Sequence, residues 1–354
     1  MHHPEFPMDA LFSCILISMK TLVCKSPGQF EYLDLPNPKM QDGHSIVKIK
    51  RIGICGTDLH AFEGTQPFFN YPRVLGHELA AEYVEGTASG FSKGDLLTII
   101  PYIHCGSCIA CVQGKTNCCS SLKVLGVHVD GGMAEYFLVP DDLLLKAEGL
   151  SADALALVEP LCIGYHAVKR SGIRENQIAL VIGAGPIGFG LMMFLKAKGV
   201  RVIAMDVNND RLDFCRTHLQ LEDLINALDE NHFEKIQGIT SGQMPAVVFD
   251  ATGSGKAISN AFKYMSHAGT YVLVGLQMGD IQFSHPEFHK REGTLMSSRN
   301  ATRKDFEEVM NMIRSGSINP LVMITHRLDF NELGDQFPSL MLPELKVVKA
   351  MVSL

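Results

Sequence analysis

The sequence predicts an α/β fold in two parts, a mainly antiparallel β domain and a doubly wound parallel-sheet domain. Three observations carry this. From Thr21 to about residue 150, short strands punctuated by glycine alternate apolar and polar positions, as in Ser45-Ile46-Val47-Lys48-Ile49-Lys50, the pattern of strands with one face in water. Between Ile178 and Gly275 the pattern becomes continuous apolar runs separated by a helix, as expected of strands buried on both faces. The 354 residues, 46% of them hydrophobic, suffice for two cores.

Taken in order, residues 1–18 are set apart as an upstream extension. Residues 10–18 are apolar like a short signal segment, but no Lys or Arg precedes them and no small-x-small cleavage site follows, so the chain proper is expected to start at Met19. Residues 19–162 form the β domain, 163–296 the parallel-sheet domain, and 297–354 a return to the first domain. Within the second domain a strand at Ile178–Ile182, a helix over 187–198 and a strand over 201–205 form one unit, with later strands at 246–250 and 270–274. A helix over 303–315 and a closing strand over 346–352 complete the chain.

A formal charge of −7 argues against nucleic-acid or anionic-membrane partners, which need clustered cations. No apolar run is long enough for a membrane helix. Six of the ten cysteines are clustered in metal-like settings and none forms a secretory framework, so they are read as reduced and the compartment as cytoplasm. What remains is small-molecule chemistry.

The turn Gly183-Ala184-Gly185-Pro186-Ile187-Gly188 follows an apolar strand and opens an apolar helix, the context that gives a G-x-G-x-x-G run meaning. Gly183 and Gly185 permit the tight turn and the approach of a pyrophosphate, Pro186 suits a first helical position, and Gly188 lets helix pack on strand. Asp206, 18 residues after Gly188, ends the next strand and would accept hydrogen bonds from an adenosine ribose. Its charge repels a 2′-phosphate, favouring NAD over NADP, with Arg211 five residues on as the opposing group. Thr252, Val274 and Gly275 lie at the ends of later strands, where a nicotinamide would sit.

Two metal patterns precede it. Cys55, His77 and Glu78 offer a thiolate, an imidazole and a carboxylate, the ligand types of a catalytic zinc with one open position. Glu159, in Glu159-Pro160-Leu161, is a further candidate, as direct ligand, as a group that reaches the zinc only when water leaves, or as an outer partner. Cys105, Cys108 and Cys111 with either Cys118 or Cys119 have the spacing of a closed, structural zinc site. Zinc and a nicotinamide together point to oxidation of an alcohol.

With these residues in order, from the Cys55-Gly56-Thr57-Asp58-Leu59-His60 run through Gly76-His77-Glu78, the four-cysteine loop and Glu159-Pro160-Leu161 to the 183–188 turn, the chain resembles the zinc-dependent medium-chain dehydrogenase/reductase family, in the branch of sorbitol and threonine dehydrogenases. The resemblance covers nearly everything from Met19 on. It implies a GroES-like catalytic domain around an inserted Rossmann domain, two zinc ions per subunit, a homodimer or homotetramer, and Cys119 as the fourth structural ligand. It also implies a proton relay through Thr57 and His60. Ala81 departs from the glycine common in the family three residues after the glutamate. The stretches 66–78, 126–132, 286–290 and 298–302 resemble members that act on sugar acids of the L-galactonate type. L-threonine, sorbitol and galactitol are the rival substrates, and a non-catalytic regulator binding NAD or a sugar acid is the rival of another class. A carboxylated substrate requires a cation, for which Arg299, Lys290 and His128 are the candidates, with Phe68 as a cleft wall.

Overall fold

The computed structural model describes residues 18–67 and 69–354. The expectations for the leading extension, apart from Ser18, and for Phe68 lie outside the described residues.

Six parallel strands lie in the spatial order Leu224–Asn226, Arg201–Asp206, Ile178–Ile182, Val247–Asp250, Thr270–Leu273, Thr294–Ser297. Third, second, first, fourth, fifth, sixth is the doubly wound order, with its switch point between the first and fourth strands. The apolar runs are continuous because both faces are covered. Ala179 and Val181 join a core shared with the Pro186–Ala197 and Val158–Ser171 helices, while Leu180 and Ile182 join a second core with Ile236 and Ile258. Successive strand side chains point to opposite faces, so each layer takes every second residue.

The other large sheet has seven strands. Its path runs Leu144–Lys146, Leu96–Ile99, Glu78–Gly86, His44–Gly53, Lys349–Ser353, Ile324–Asp329, and Tyr136–Pro140 pairs with the first half of His44–Gly53. The closing segment therefore does return to the first domain: Met351 pairs with Gly53 and Val352 with Ile52, antiparallel. The strand begins at Lys349 and not at 346, because Lys346 is left-handed (φ 49°) after the Pro343–Leu345 turn. The preceding residues lean on the nucleotide-type domain, with Lys346 Nζ 2.8 Å from Asp210. Among the described residues no helix is long and apolar enough to cross a membrane.

Candidate active site

Glu78 opens its strand directly opposite Gly53, and His77 precedes it. A Cβ on Gly53 would stand 2.1 Å from Glu78 Oε2, so only glycine leaves room for this carboxylate. Cys55 lies two residues past the strand His44–Gly53 as the N-cap of the Gly56–Glu63 helix. Asp58 fixes that turn: its Oδ2 accepts from Cys55 N at 2.9 Å and its Oδ1 from Gly76 N at 3.2 Å. It is buried and its Oδ1 lies 3.7 Å from His77 Nδ1, so one carboxylate organises both segments that bring Cys55 and His77 together.

One donor atom each from Cys55, His77 and Glu78 lies within 4.8 Å of the others. His77 Nδ1 is buried without a hydrogen-bond partner. Burial works against a charge on His77, yet Asp58 and Cys55 beside it push its pKa well above the usual range, the sign of a pocket rich in negative charge. This donor set and its charge fit a zinc ion.

Beneath it lies Lys349, which the sequence reading passed over. It is 2% exposed, and its Nζ donates to Glu78 Oε1 at 2.6 Å, to Oε2 at 2.7 Å and to Ile54 O at 3.1 Å. Burial lowers its pKa, but Glu78 and Cys55 more than reverse this and hold the ammonium charged. Its signal in the sequence was a lone lysine inside the apolar closing strand.

Glu159 does not join the three-residue set. It sits in the first turn of the Val158–Ser171 helix, buried, where Tyr102 Oη donates to its Oε1. Burial raises its pKa and nearby His77 opposes that rise, so the carboxylate lies close to the cluster while engaged elsewhere. Tyr102, also unforeseen, is what engages it.

In the second cluster, donor atoms of Cys105, Cys108, Cys111 and Cys119 lie within 4.8 Å of one another. Cys119 and not Cys118 belongs to it, resolving the choice that spacing left open. Backbone amides point at the sulfurs: Cys108 N donates to Cys105 Sγ and Cys105 N to Cys119 Sγ, both at 3.3 Å. Such donors favour thiolates; the amides of Ser107 and Cys108 bring the Cys105 pKa to about 5, whereas burial pushes Cys111 up to about 12. All cysteines among the described residues are free, and four sulfurs so placed fit a closed zinc site.

On the nucleotide side Gly185 is the N-cap and Pro186 the first residue of its helix. A Cβ on Gly188 would lie 1.8 Å from Gly183 O, which makes glycine obligatory at that crossing. Asp206 receives Ala184 N at 2.6 Å and Asn208 N at 2.8 Å, fixing its carboxylate at the edge of the turn. Arg211 lies beside this turn: Nη2 donates to Val347 O at 3.4 Å, and Nη1 is buried and unpartnered, 3.8 Å from where a Gly185 Cβ would be.

One cleft of about 790 Å³ joins the two halves. From the catalytic side it is lined by Cys55, Thr57, His60, Glu78 and Lys349, and from the nucleotide side by Pro186, Ile187, Arg211, Thr252, Val274 and Gly275. His60 is exposed, with Nδ1 3.3 Å from both Glu63 Oε2 and Thr65 Oγ1. The candidate cations are not in this lining. Lys290 pairs with Glu287 at 3.0 Å on its own short helix. Arg299 is exposed after the last parallel strand. His128 lies in a loop that packs on the backbone of Gly76; burial, Arg299 and Arg73 lower its pKa, which sets both guanidinium groups near it.

The sequence of residues 186–315 matches the zinc-binding dehydrogenase model and 41–149 the alcohol dehydrogenase GroES-like domain. The chain belongs to this zinc-binding alcohol dehydrogenase family, and it is an enzyme that works on an alcohol with a nicotinamide dinucleotide. Among its relatives, L-galactonate-5-dehydrogenase of Escherichia coli K12 is 40% identical over 338 residues, 95% of this chain and 99% of that one. A sorbitol dehydrogenase of Halalkalibacterium halodurans is 29% identical, covering 86% of this chain and 90% of its own. An alcohol dehydrogenase from Escherichia coli CFT073, solved with NADH, superimposes with a TM-score of 0.88 at 30% identity, over 95% of this chain and 99% of that one.

Proposed function

We propose that the enzyme oxidises a secondary hydroxyl of a sugar acid of the L-galactonate type to a ketone, reducing NAD. The observation that carries this reading is the single cleft that joins the Cys55–His77–Glu78 cluster to the glycine-rich turn, so that alcohol and nicotinamide meet beside one metal position. The relative that is a galactonate dehydrogenase, matched end to end, supports the substrate class.

Cys55, His77 and Glu78 hold the catalytic zinc, with Glu159 as the carboxylate next in reach, and Cys105, Cys108, Cys111 and Cys119 hold a structural one, two per subunit. Zinc supplies Lewis acidity toward the substrate hydroxyl, and NAD, on the 183–188 turn, supplies the hydride acceptor. Thr57 Oγ1 takes the hydroxyl proton and hands its own onward toward His60, which stands at the solvent mouth of the cleft. Asp206 holds the adenosine ribose and disfavours a 2′-phosphate, while the unpartnered Nη1 of Arg211 and the backbone of Gly183, Gly185 and Gly188 take the pyrophosphate side. Thr252, Val274 and Gly275 wall the nicotinamide. Arg299 and His128, which lie near each other beyond the cleft lining, are the groups assigned to the substrate carboxylate, with Lys290 as a third cation; Phe68 lies outside the described residues. The exposed edge strand Thr294–Ser297, unpaired on its outer side among the described residues, supports assembly into a homodimer or homotetramer.

The test is NADH formation by zinc-loaded enzyme with L-galactonate, other aldonates, polyols and L-threonine. A clear preference for L-galactonate supports the reading; a preference for a polyol or threonine overturns the substrate class and leaves the zinc–nicotinamide chemistry standing.

A further inference from the structure

We propose that Asn117 is a positioning residue for Arg299, through which the four-cysteine loop sets the preference for carboxylated over neutral substrates. The inference rests on the reading that Arg299 meets the substrate carboxylate.

Asn117 lies on the Thr116–Cys118 turn, between Cys111 and Cys119, and is 3% exposed. Its Nδ2 carries two hydrogens, and both have a partner: Arg299 O at 2.8 Å and His166 Nε2 at 3.2 Å. A carbonyl oxygen only accepts, so the amide orientation is fixed. His166 Nε2 must then accept, which leaves its Nδ1 to donate to Asp305 Oδ2 at 2.8 Å. Asp305 is fully engaged by Lys169 Nζ at 3.1 Å and by Thr302 N and Oγ1 at 2.9 and 2.7 Å.

This chain of bonds crosses four pieces of the fold. It runs from the cysteine loop to the Val158–Ser171 helix that carries Glu159, to the Arg303–Arg314 helix, and to the backbone of Arg299. Arg299 needs such an anchor. It follows the last parallel strand and Ser298, and the next residue, Asn300, has φ 53°, a left-handed turn that asparagine adopts more readily than most residues and at which the chain leaves the sheet. Among the described residues the hydrogen bond given to Arg299 runs to its carbonyl, while its guanidinium lies near His128. A cation on a fixed backbone is what a substrate anion can use at least cost, since less motion is lost on binding.

The experiment compares KM and kcat for L-galactonate and for galactitol, a neutral polyol of equal length, in wild type, Arg299→Ala and Asn117→Asp. Asn117→Asp keeps the side-chain size and removes the donor to Arg299 O. We expect KM for the aldonate to rise about five- to tenfold, with KM for the polyol and both kcat values changed less than about twofold and two zinc ions per chain retained. Amide hydrogen exchange at residues 299–301 should quicken, a readout independent of turnover. Should Asn117→Asp not fold, Asn117→Ala, which brings no misplaced charge, carries the same expectations. If Arg299→Ala raises both KM values alike, the carboxylate reading of Arg299 fails and this proposal falls with it. If Arg299→Ala is selective but the Asn117 variants are not, or if exchange at 299–301 is unchanged, the carboxylate reading stands and the positioning role is overturned.

Discussion

Lys349 Nζ grips both carboxylate oxygens of Glu78, at 2.6 and 2.7 Å, across 271 residues of sequence. The ammonium is a counter-charge inside a cluster whose other side chains, Cys55 and Glu159, add negative charge when ionised. Replacing it with an apolar residue leaves a buried carboxylate without its partner. Lys349→Met is therefore expected to cost about 3–5 kcal/mol of stability, read as a lowered urea midpoint, together with weaker retention of the catalytic metal. An unchanged midpoint in zinc-loaded protein would show that Glu78 is neutralised by another route.

Glu78→Ala removes a candidate ligand and leaves the parallel-sheet domain untouched. Turnover should fall at least about 100-fold, while NADH binding, followed by its fluorescence, stays within about twofold of wild type. Retained activity would refute the ligand role.

Asp206 has two tasks, to meet a ribose and to pin Ala184 N and Asn208 N. Asp206→Ala should cut the ratio of kcat/KM for NAD over NADP by about tenfold or more and, through the lost backbone bonds, destabilise the protein by about 1–2 kcal/mol. An unchanged cofactor ratio would contradict the first assignment without touching the second.

Asp305 carries a pH prediction. Burial tends to raise its pKa, but hydrogen bonds from His166 and Thr302 outweigh this and hold the carboxyl well below the usual range. A group whose folded pKa is depressed contributes stability that is complete above its unfolded value, about 3.9 for Asp, and lost as the pH falls below it. Asp305→Asn should thus flatten the loss of stability below about pH 4, measured as urea midpoints from pH 6 down to pH 3. A variant as acid-sensitive as wild type would remove Asp305 from the set of titrating groups.

The parts of this architecture that depend on local pattern were legible in the sequence. The strand Ile178–Ile182 has the expected bounds, because its alternate residues feed two cores and every one of them is apolar. The glycines at 183 and 188 announced themselves through sterics that no other residue satisfies. Cys55, His77 and Glu78 were recognisable as a set by their chemistry, though the strand before Cys55 ends two residues sooner than its apolar run suggests.

What escaped were groups whose meaning lies in a distant partner. Asp58 stood inside a motif already read for Cys55 and Thr57, yet its role depends on Gly76 and His77, which only the pairing of two strands brings near. Tyr102 carried no local signal, because its part depends on Glu159, 57 residues on, accepting from its hydroxyl. Arg299, Lys290 and His128 were candidate cations in the sequence, with Arg299 favoured by the family resemblance alone; the fold gives Lys290 an acidic neighbour in Glu287 and sets Arg299 near His128.

The closing strand has a further consequence, for the order in which the protein is made. Since the cation that balances Glu78 sits at position 349 and the strand bearing it seals the edge of Gly53, ribosomal synthesis must pass the entire cofactor domain before the pocket begun at Cys55 is whole. A chain that has not yet reached Lys349 holds its thiolate, imidazole and carboxylate without their counterweight, so the pocket is completed only when this strand adds to the sheet.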